Sequence, residues 1–409
     1  MSKNEREGRR ERSDGASRKP LFRVQVVAQE NLEYFRDTVL GVRRYGFSTG
    51  RMVFADRWLD HELAGDLKRL VKRDGIQGIV STIHNPAMER RFTGLGVPVV
   101  NVSNALPRPR LPVVTQDDIA VGRLAAGHLQ ACGCRAFGFW GQAGASYSEE
   151  RLAGFREGLG RGAELSAGGC GEAETTAVLY AKMRGWLAKQ VRPLGLFAVL
   201  DTYALLLMRA ARELGWRVPE DVAVLGAGNE DFWVEFESIP LSSVRLPARQ
   251  IGHEAAALLD RMMVRSGKRN SKAGPAVPPY LGQRLPGAEI VARRSTDVIY
   301  AEDEAVARAV RFIREQAAEN PYVDDVARAA GVSRSALQAR FHHALGRTVL
   351  EEIQRVRVGR AQGLLANSGL PMSVIAERCG FPNSQRFSVL FRQVAGLAPG
   401  AYRRQFRDR

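Results

Sequence analysis

Two groups of polar side chains near the end of the chain have the chemistry needed to recognise the edges of base pairs. They are Ser333, Arg334, Ser335 and Gln338 in the first group, and Ser384, Gln385, Arg386 and Ser388 in the second. In a major groove, arginine can pair with guanine and glutamine with adenine through two hydrogen bonds. Any one of these residues is equally well explained by a solvated helix face. Together, the two groups favour contact with duplex DNA.

The elements that position these side chains come from a pattern that occurs twice, 49 residues apart. Small or apolar residues precede Gly331 in the first copy and Gly380 in the second, which allows two helices to cross closely. Apolar residues four apart follow each glycine and are expected to face a core. They are Leu337 and Phe341, then Phe387 and Phe391. The pattern is typical of helix-turn-helix units, with Ser333 as the predicted N-cap of the first recognition helix.

Charge and spacing agree with this interpretation. The segment Leu350–Leu365 is predicted to be one helix joining the two units, and its 16 residues would span about 24 Å. That length suits two recognition helices in successive major grooves, about 34 Å apart. From Glu302 to Arg409 there are 17 arginines, no lysine and 11 acidic residues. The formal charge of the whole chain is +16, which favours a polyanionic partner such as DNA.

The segment from Arg308 to Arg404 resembles the DNA-binding domains of the AraC/XylS family. The matching stretches have the family's residues at the family's spacing. They include Gly331-Val332-Ser333, Arg340-Phe341, Ile375-Ala376, Cys379-Gly380-Phe381 and Tyr402-Arg403. The family pattern often has arginine at the position of Val389, so the second unit departs from it there.

Upstream, residues 21–297 alternate short apolar strands with helices, which predicts parallel sheets covered by helices on both faces. Phe22–Ala28 and Leu196–Leu200 are among the predicted strands, and Tyr34–Tyr45 and Tyr203–Leu214 among the predicted helices. The region is long enough for two lobes. We expect lobe 1 to cover about 21–116 and 247–270, and lobe 2 about 117–246 and 277–297. Residues 1–20 are predicted to be a disordered basic tail, and 298–409 a separate domain.

Residues 21–297 resemble the ligand-binding core of the LacI/GalR repressors. The resemblance rests on Asp117-Asp118, Arg151-Leu152-Ala153-Gly154-Phe155, Val199-Leu200-Asp201 and Leu241-Ser242-Ser243-Val244. It implies an α/β, two-lobed, periplasmic-binding-protein-like domain with parallel sheets, followed here by an all-α domain with two helix-turn-helix units. This combination resembles the XylR group of xylose-responsive activators.

The resemblance implies a sugar site whose residues follow strand ends. The candidates are Tyr147, Arg151, Asp201, Asn229 and Asp117. Arg151 offers a fork of donors to sugar hydroxyls, although a surface arginine at a helix N-terminus is an alternative. Asp201 can accept hydroxyl bonds, or act as the N-cap of the next helix. Gly228 stands where the family pattern carries aspartate, which weakens the case for xylose itself.

Several function classes lack support in the sequence. No nucleophile elbow, phosphate-binding loop or dinucleotide fingerprint occurs, so no catalytic residue is predicted. Cys132, Cys134, Cys170 and Cys379 fit no zinc spacing and are expected to be reduced thiols, with His128 in a structural role. No cofactor and no metal is predicted. No apolar run approaches the roughly 20 residues of a membrane helix, and the first residues do not form a secretory signal.

These features predict a cytoplasmic regulator of carbohydrate genes, an activator that binds double-stranded DNA and contacts RNA polymerase. A small sugar would enter the cleft of the two-lobed core and close it. LacI-like cores commonly pair through the first lobe, so a homodimer is expected. The alternatives are a sugar-binding protein without a regulatory role and an enzyme built on the α/β core.

Overall fold

The structure is a computed structural model that describes residues 21–27, 33–55, 67–171, 174–230, 238–268, 282–298, 303–316, 319, 321–395 and 397–407. The predicted tail, 1–20, lies outside these residues. Contacts divide the chain into two compact units. The first unit, here lobe 1, covers 1–117, 144–147 and 246–288. The second covers 118–143, 148–245 and 289–409, and contains both lobe 2 and the helical C-terminal domain.

Lobe 1 contains a six-stranded sheet in which every paired strand is parallel. The strand order is β11-β5-β4-β3-β1-β2. The strands are β1 (Phe22–Val27), β2 (Met52–Phe54), β3 (Gly78–Ser81), β4 (Val99–Asn101), β5 (Val113–Gln116) and β11 (Gly282–Leu285). The helices are α1 (Glu33–Thr49), α2 (Leu67–Arg73), α3 (Pro86–Thr93) and α8 (Ala248–Lys268). The predicted parallel sheet is confirmed for this lobe.

Lobe 2 contains a second six-stranded sheet, in the order β12-β10-β9-β8-β6-β7. All its pairs are parallel except that of β12 with β10. The strands are β6 (Ala136–Gln142), β7 (Glu164–Cys170), β8 (Leu194–Ala198), β9 (Val222–Gly228), β10 (Ser242–Arg245) and β12 (Glu289–Val291). The helices are α4 (Asp118–Ala131), α5 (Ser146–Leu159), α6 (Thr176–Leu187) and α7 (Asp201–Glu213).

One helix pair in each unit crosses at facing glycines. A Cβ atom at Gly41 of α1 would collide with the carbonyl oxygen of Arg249, and one at Gly252 of α8 would collide with the backbone of α1. In lobe 2, Gly122 of α4 and Gly154 of α5 face each other's backbones in the same way. The absence of side chains lets these backbones touch, which fixes how each helix pair packs.

The predicted division of the core needs one correction. We expected residues 277–297 to belong to lobe 2, but β11 pairs with β5 in the sheet of lobe 1. Only β12 joins lobe 2, where it pairs antiparallel with β10. Gly287, between these strands, has φ +111°, a conformation that suits glycine. The strand β11 is four residues long and gives little periodic signal, which is why the sequence did not place it.

The C-terminal domain is helical throughout its described residues. Its helices are α9 (Glu304–Gln316), α10 (Val323–Ala330), α11 (Arg334–Leu345), α12 (Val349–Asn367), α13 (Met372–Arg378), α14 (Ser384–Ala395) and α15 (Pro399–Arg407). Two apolar clusters stabilise it. One involves α9 to α11 and the start of α12, and the other involves the rest of α12 with α13 to α15. The domain therefore has two small cores that share one helix.

The shared helix α12 is the predicted linking helix, at 19 residues instead of 16. It begins with a capping box, since the Thr348 hydroxyl accepts from the Glu351 amide at 3.2 Å and the Glu351 carboxylate accepts from the Thr348 amide at 2.7 Å. At about 1.5 Å per residue the helix is about 28 Å long. Its length is close to the spacing of successive major grooves.

Candidate functional site

The first helix-turn-helix unit consists of α10 and α11. Leu337 and Phe341 are fully buried, as predicted, and pack with the apolar side of α10. Gly331 ends α10 with φ +71°, and the next amide, that of Val332, donates to the Ala327 carbonyl at 3.1 Å. This closes the turn and sends α11 off at a fixed angle, because a left-handed glycine satisfies the last carbonyls of a helix.

The predicted contact residues of this unit lie at the start of α11. Ser333 is its N-cap, and the hydroxyl accepts from the Ala336 amide at 3.2 Å. Arg334 lies within 3.3 Å of the Asp324 carboxylate on α10. Ser335 Oγ is 3.3 Å from Ser333 Oγ, and Gln338 is exposed. Of the four side chains, the arginine and the two serines already have protein partners.

The second unit, α13 and α14, repeats the same geometry. Phe387 and Phe391 are fully buried with Ile375, Ala376 and Cys379. Gly380 has φ +75°, and the amide of Phe381 donates to the Ala376 carbonyl at 2.9 Å. This bond is the counterpart of the one that closes the turn of the first unit, so the repeat in the sequence is also a repeat in structure.

The predicted contact residues of the second unit are less engaged. Gln385 and Arg386 are exposed at the start of α14, and within the described part of the chain Arg386 has no ion-pair partner. Ser388 is exposed, but its hydroxyl donates to the Ser384 carbonyl at 2.8 Å. Asn383, which the sequence did not single out, caps the helix by accepting from the Arg386 amide at 2.8 Å.

In lobe 2, two of the predicted ligand residues come together. Asp201 is buried at the first residue of α7, where its carboxylate accepts from the Ser243 hydroxyl at 2.6 Å and from the Glu230 amide at 2.9 Å. The Asn229 amide donates to the same Ser243 hydroxyl oxygen at 3.0 Å. Asp201, Asn229 and Ser243 form what we call the lobe 2 polar cluster. It lies where β8 and β9 end, the edge at which parallel sheets bind ligands.

The polar cluster has its own electrostatics. Burial raises the pKa of Asp201 above its ordinary value, because it outweighs the lowering by the Ser243 hydroxyl, the Glu230 amide and the Arg293 guanidinium. The alternative role for Asp201 is wrong, since the N-cap of α7 is Leu200 and Asp201 makes no capping bond. Its carboxylate instead holds β9 and β10 together from the side.

The backbone conformation at Gly228 explains why glycine occurs where the family pattern carries aspartate. Gly228 adopts φ +132°, a conformation that residues with a Cβ rarely take, and the following Asn229 has φ +57°. The chain turns sharply at the end of β9 as a result. Asn229 then places its side-chain carbonyl 3.0 Å from Nη1 of Arg293.

Arg151 has a buried ion pair instead of an open fork. It is 2% exposed, its Nε donates to the Asp118 carboxylate at 2.8 Å, and its Nη1 donates to the Val199 carbonyl at 2.6 Å. The surface alternative is therefore wrong. The pair lies beside the end of β8, because Val199 directly follows that strand and precedes Asp201 by two residues. Asp118, at the first residue of α4, is a partner that the sequence did not identify.

The remaining two ligand candidates, Tyr147 and Asp117, belong to lobe 1. Tyr147 is partly buried, and its amide donates to the Asn104 carbonyl at 2.8 Å. Asp117 is also partly buried, and its amide donates to the Leu285 carbonyl at 3.0 Å. The structure thus groups Asp201 with Asn229, and places Arg151 near them. Ser243 and Arg293 complete that group; Ser243 lies in a stretch that carried the family resemblance, whereas Arg293 had no signal.

The cysteines and histidines that the structure describes do not gather into a metal site. All four cysteines are free and buried. Across the part of the chain that the structure describes, no group of three or more histidine, cysteine, aspartate or glutamate side chains could hold a metal ion. His128 Nε2 lies 2.8 Å from the Thr296 hydroxyl, which is a structural contact. No helix in the described ranges is long and apolar enough to cross a membrane.

Comparison with known proteins matches three families. The family described as periplasmic binding proteins and sugar binding domain of the LacI family matches residues 24–167, and a periplasmic binding protein-like domain matches 126–296. A helix-turn-helix domain matches 326–405. These ranges cover most of both lobes and of both helix-turn-helix units.

Similar proteins extend over nearly the whole chain. The xylose operon regulatory protein of Escherichia coli K12 is 27% identical over 93% of this chain and 96% of its own length. The protein of the same name from Haemophilus influenzae is 26% identical over 93% of this chain and 98% of its own length. The solved structure of a xylose-binding transcription activator, XylR, covers 93% of this chain and 97% of that one, with a TM-score of 0.58 and 26% identity. The chain is therefore a DNA-binding transcription regulator that is similar to XylR along nearly its whole length, with a LacI-like periplasmic-binding-protein core joined to an AraC-type helix-turn-helix domain.

Proposed function

We propose that this regulator activates carbohydrate-use genes in the cytoplasm when a small neutral sugar, a pentose such as D-xylose, binds its core. The observation that carries the proposal is the lobe 2 polar cluster, in which Asp201 and Asn229 lie at the strand ends of the sheet. Two helix-turn-helix units follow this sheet along the chain. The names of the similar proteins from E. coli and H. influenzae support xylose as the first sugar to test.

The proposed effector site uses carboxylate and amide groups for sugar hydroxyls. Asp201 and Asn229 would accept hydroxyl bonds, and Arg151, Tyr147 and Asp117 are the further candidates. Arg151 would act mainly by holding Asp118, since that pair is buried and its donors already have partners. A buried pair of this kind is costly to break, about 3–5 kcal/mol when one partner is removed. Arg151→Ala is therefore a poor test of sugar contact.

A better test keeps the shape of the site and changes its charge. Asp201→Asn should weaken the binding of D-xylose by about 1–3 kcal/mol, measured by calorimetry on the full chain. Asp221→Asn is the matched control, because Asp221 also lies in lobe 2 and pairs with Arg217 at the surface. The titration should include a hexose and a uronate. Equal affinity of wild type and Asp201→Asn for every sugar bound would refute the site.

On the DNA side, we propose that the exposed starts of α11 and α14 enter the major groove. The domain's excess of arginine supports this, since phosphate contacts release counterions and make binding salt-dependent. Electrophoretic or fluorescence titrations of duplex DNA with the full chain at several salt concentrations provide the test. Binding that does not weaken as salt rises would contradict the proposal.

We further propose that the regulator is a homodimer that pairs through lobe 1 and recruits RNA polymerase to the promoter. Helix α1 supports the pairing, because it exposes Leu40 and Phe47 two turns apart on one side, with Phe47 75% exposed. Exposed apolar side chains that share one face are a candidate interaction surface. Sedimentation analysis of wild type and Phe47→Asp tests it: a variant that remains as dimeric as wild type would exclude this face.

Two rival functions have distinct signatures. A sugar-binding protein without a regulatory role would bind sugar but show no change in DNA affinity. An enzyme would convert the bound sugar, which product analysis by mass spectrometry after prolonged incubation would detect. We propose that neither applies, because the chain pairs a sugar-type core with two complete helix-turn-helix units.

A further inference from the structure

Five residues, 293–297, connect the lobe 2 polar cluster to the helical domain, and we call them the coupling segment. Its first residue, Arg293, uses one nitrogen, Nη1, to donate to the Asn229 side-chain carbonyl at 3.0 Å and to the Leu241 carbonyl at 2.9 Å. Arg293 therefore bonds directly to a residue proposed to contact the sugar.

The backbone of the coupling segment is bonded to β10 through buried hydroxyl groups. Ser242 Oγ accepts from the Arg293 amide at 2.7 Å and donates to the Arg293 carbonyl at 3.0 Å. The Thr296 hydroxyl donates to the same Ser242 oxygen at 2.7 Å. Each hydroxyl has one proton, so the directions of these bonds are fixed.

The same counting of protons fixes the state of His128. The Thr296 hydroxyl already donates to Ser242, so Nε2 of His128 must be the donor in its 2.8 Å contact with Thr296. Burial, and then the charge of Arg355, lowers the pKa of His128 to about 4, which leaves the ring neutral at pH 7. The contact therefore joins α4 to the coupling segment without a charge.

Ser295 fastens the middle of the segment. Its hydroxyl donates to the Val224 carbonyl on β9 at 2.6 Å and accepts from the Ser242 amide at 2.8 Å, and its amide donates to the Pro240 carbonyl at 3.0 Å. The segment is thus bonded to Val224 within β9 and to Ser242 at the start of β10.

Asp297, the last residue of the segment, makes the first ion pair with the helical domain. Its carboxylate lies 3.1 Å from Nε of Arg314 on α9. Burial lowers the pKa of Arg314, and the charges of Asp297, Arg355 and Glu352 act on it more weakly. Arg314 and Arg355, the latter on the linking helix α12, line the same cavity. Glu352 is fully buried and lies 2.7 Å from both Arg347 and Arg355. Burial alone would raise the pKa of Glu352, but the surrounding arginines outweigh it and lower the pKa, so the carboxylate stays charged.

Packing beside the coupling segment is incomplete. A cavity of about 420 Å³ separates lobe 2 from α12 at this place, and residues of both parts line it, including Arg294, Asp297 and Arg355. A gap of this size removes dispersion contacts between the two surfaces. The polar contacts of the segment therefore contribute a larger share of the connection here.

We propose that Arg293 is the positioning residue through which sugar binding at the lobe 2 polar cluster changes the placement of the linking helix. A sugar hydroxyl that donates to the Asn229 carbonyl competes with Nη1 of Arg293 for the same acceptor. The guanidinium shifts, the coupling segment shifts with it, and the Asp297–Arg314 pair passes the displacement to α9 and α12. The linking helix then has two placements, one without sugar and one with it. The sugar favours the second because it bonds to Asn229 better when α12 is in that placement. This inference rests on the proposed function.

The experiment compares Arg293→Gln with Arg294→Gln in the full chain. Arg294 is the matched control, because it is the exposed neighbour and, in the described ranges, its side chain has no ion-pair partner. The DNA probe is a duplex selected with the wild-type chain, and the sugar is D-xylose at saturation. The readout is the ratio of DNA affinities with and without sugar, since coupling between sites usually changes affinity by about 5- to 150-fold.

We expect the wild-type ratio to persist in Arg294→Gln and to fall towards one in Arg293→Gln. Asp297→Asn, which keeps the shape of the carboxylate and removes its charge, should lower the ratio as well. Thermal unfolding checks that each variant folds. A full ratio in Arg293→Gln, or an equal loss in Arg293→Gln and Arg294→Gln, would overturn the role of Arg293. A wild-type chain whose calorimetry shows no sugar binding, or whose ratio is already one, would instead refute the proposed function, and the coupling role with it.

Discussion

The two helix-turn-helix units have the same backbone but differ in how their contact residues are held. In both, a left-handed glycine is followed by the same amide-to-carbonyl bond across the turn. In the first, Arg334 at the start of the recognition helix is paired with Asp324, whereas Arg386 at the start of the second has no ion-pair partner in the described part of the chain. The two units therefore share a fold, but Arg334 must leave Asp324 before it can bind DNA, whereas Arg386 has no ion pair to give up in the described part of the chain.

Charge follows the same division. The first unit, Val323–Leu345, contains three arginines and two aspartates, while the second, Met372–Ala395, contains three arginines and one glutamate. Arg386 and Gln385 are adjacent and exposed, and both can make paired hydrogen bonds with a base. We therefore expect base specificity to depend more on the second unit, and the first to contribute more to backbone contacts. Val389, at 61% exposure, is where the second unit departs from the family pattern.

The largest expected effect tests whether the units are independent in stability. Phe341→Ala and Phe391→Ala each remove a fully buried ring, and each should cost about 3–5 kcal/mol in the free energy of unfolding. Because the rings belong to separate cores, hydrogen exchange should accelerate mainly in the unit that carries the change. Equal acceleration in both units would show that α12 couples them into one cooperative structure.

The second prediction concerns specificity. Arg386→Ala should weaken binding to the selected duplex by about 1–3 kcal/mol and relax the preference at one base position. Arg392→Ala is the control, since Arg392 is exposed near the other end of the same helix. Binding-site selection with each variant is the measurement. A selected motif that stays intact in Arg386→Ala would remove the asymmetry between the units.

A smaller effect is expected at the first unit. Arg334→Ala should weaken the binding of all sequences alike and lower the slope of affinity against salt by about one, as the loss of one phosphate contact does. Arg328→Ala, on α10 and paired with Asp325, is the control for a lost surface charge. If Arg334→Ala changes a base preference instead, the two units have exchanged roles.

The smallest effect comes from releasing Arg334. Asp324→Asn removes the partner of an exposed pair, which is worth no more than about 1 kcal/mol. DNA affinity should rise slightly and its salt dependence should steepen, because Arg334 no longer has to exchange a carboxylate for a phosphate. Titrations at two salt concentrations are sufficient. Weaker binding by Asp324→Asn would show that the ion pair positions Arg334 for DNA.

The sequence predicted most of the helical domain because its signals are local. The spacing of Leu337 with Phe341 and of Phe387 with Phe391 is a helix period, and each glycine marks a turn in its own neighbourhood. The linking helix was predicted at Leu350–Leu365 and occurs at Val349–Asn367. Strand and helix alternation likewise predicted the α/β core. Such features depend on residues close in sequence.

The parts that were not predicted depend on residues far apart in the chain. Arg151 meets Asp118 across 33 residues, and Arg293 meets Asn229 across 64. No spacing rule connects such pairs. The sequence therefore predicted that the Arg151 guanidinium is open to sugar hydroxyls, whereas in the structure it forms a buried ion pair with Asp118. The strand β11 was placed in the wrong lobe for the same reason, because its only long-range information is its pairing with β5. The predicted roles of Tyr147 and Asp117 stay predictions.

The facing glycines of lobe 1 and lobe 2 have a consequence for mutational tolerance. At Gly41, Gly252, Gly122 and Gly154, even one added methyl group meets main-chain atoms, which have no rotamer to give way. These four positions should therefore be among the least substitutable in the core, although none of them is proposed to contact sugar or DNA. In a collection of variants, loss of function at these glycines would report collapse of a helix pair, and would mimic a signalling defect unless protein abundance were measured alongside.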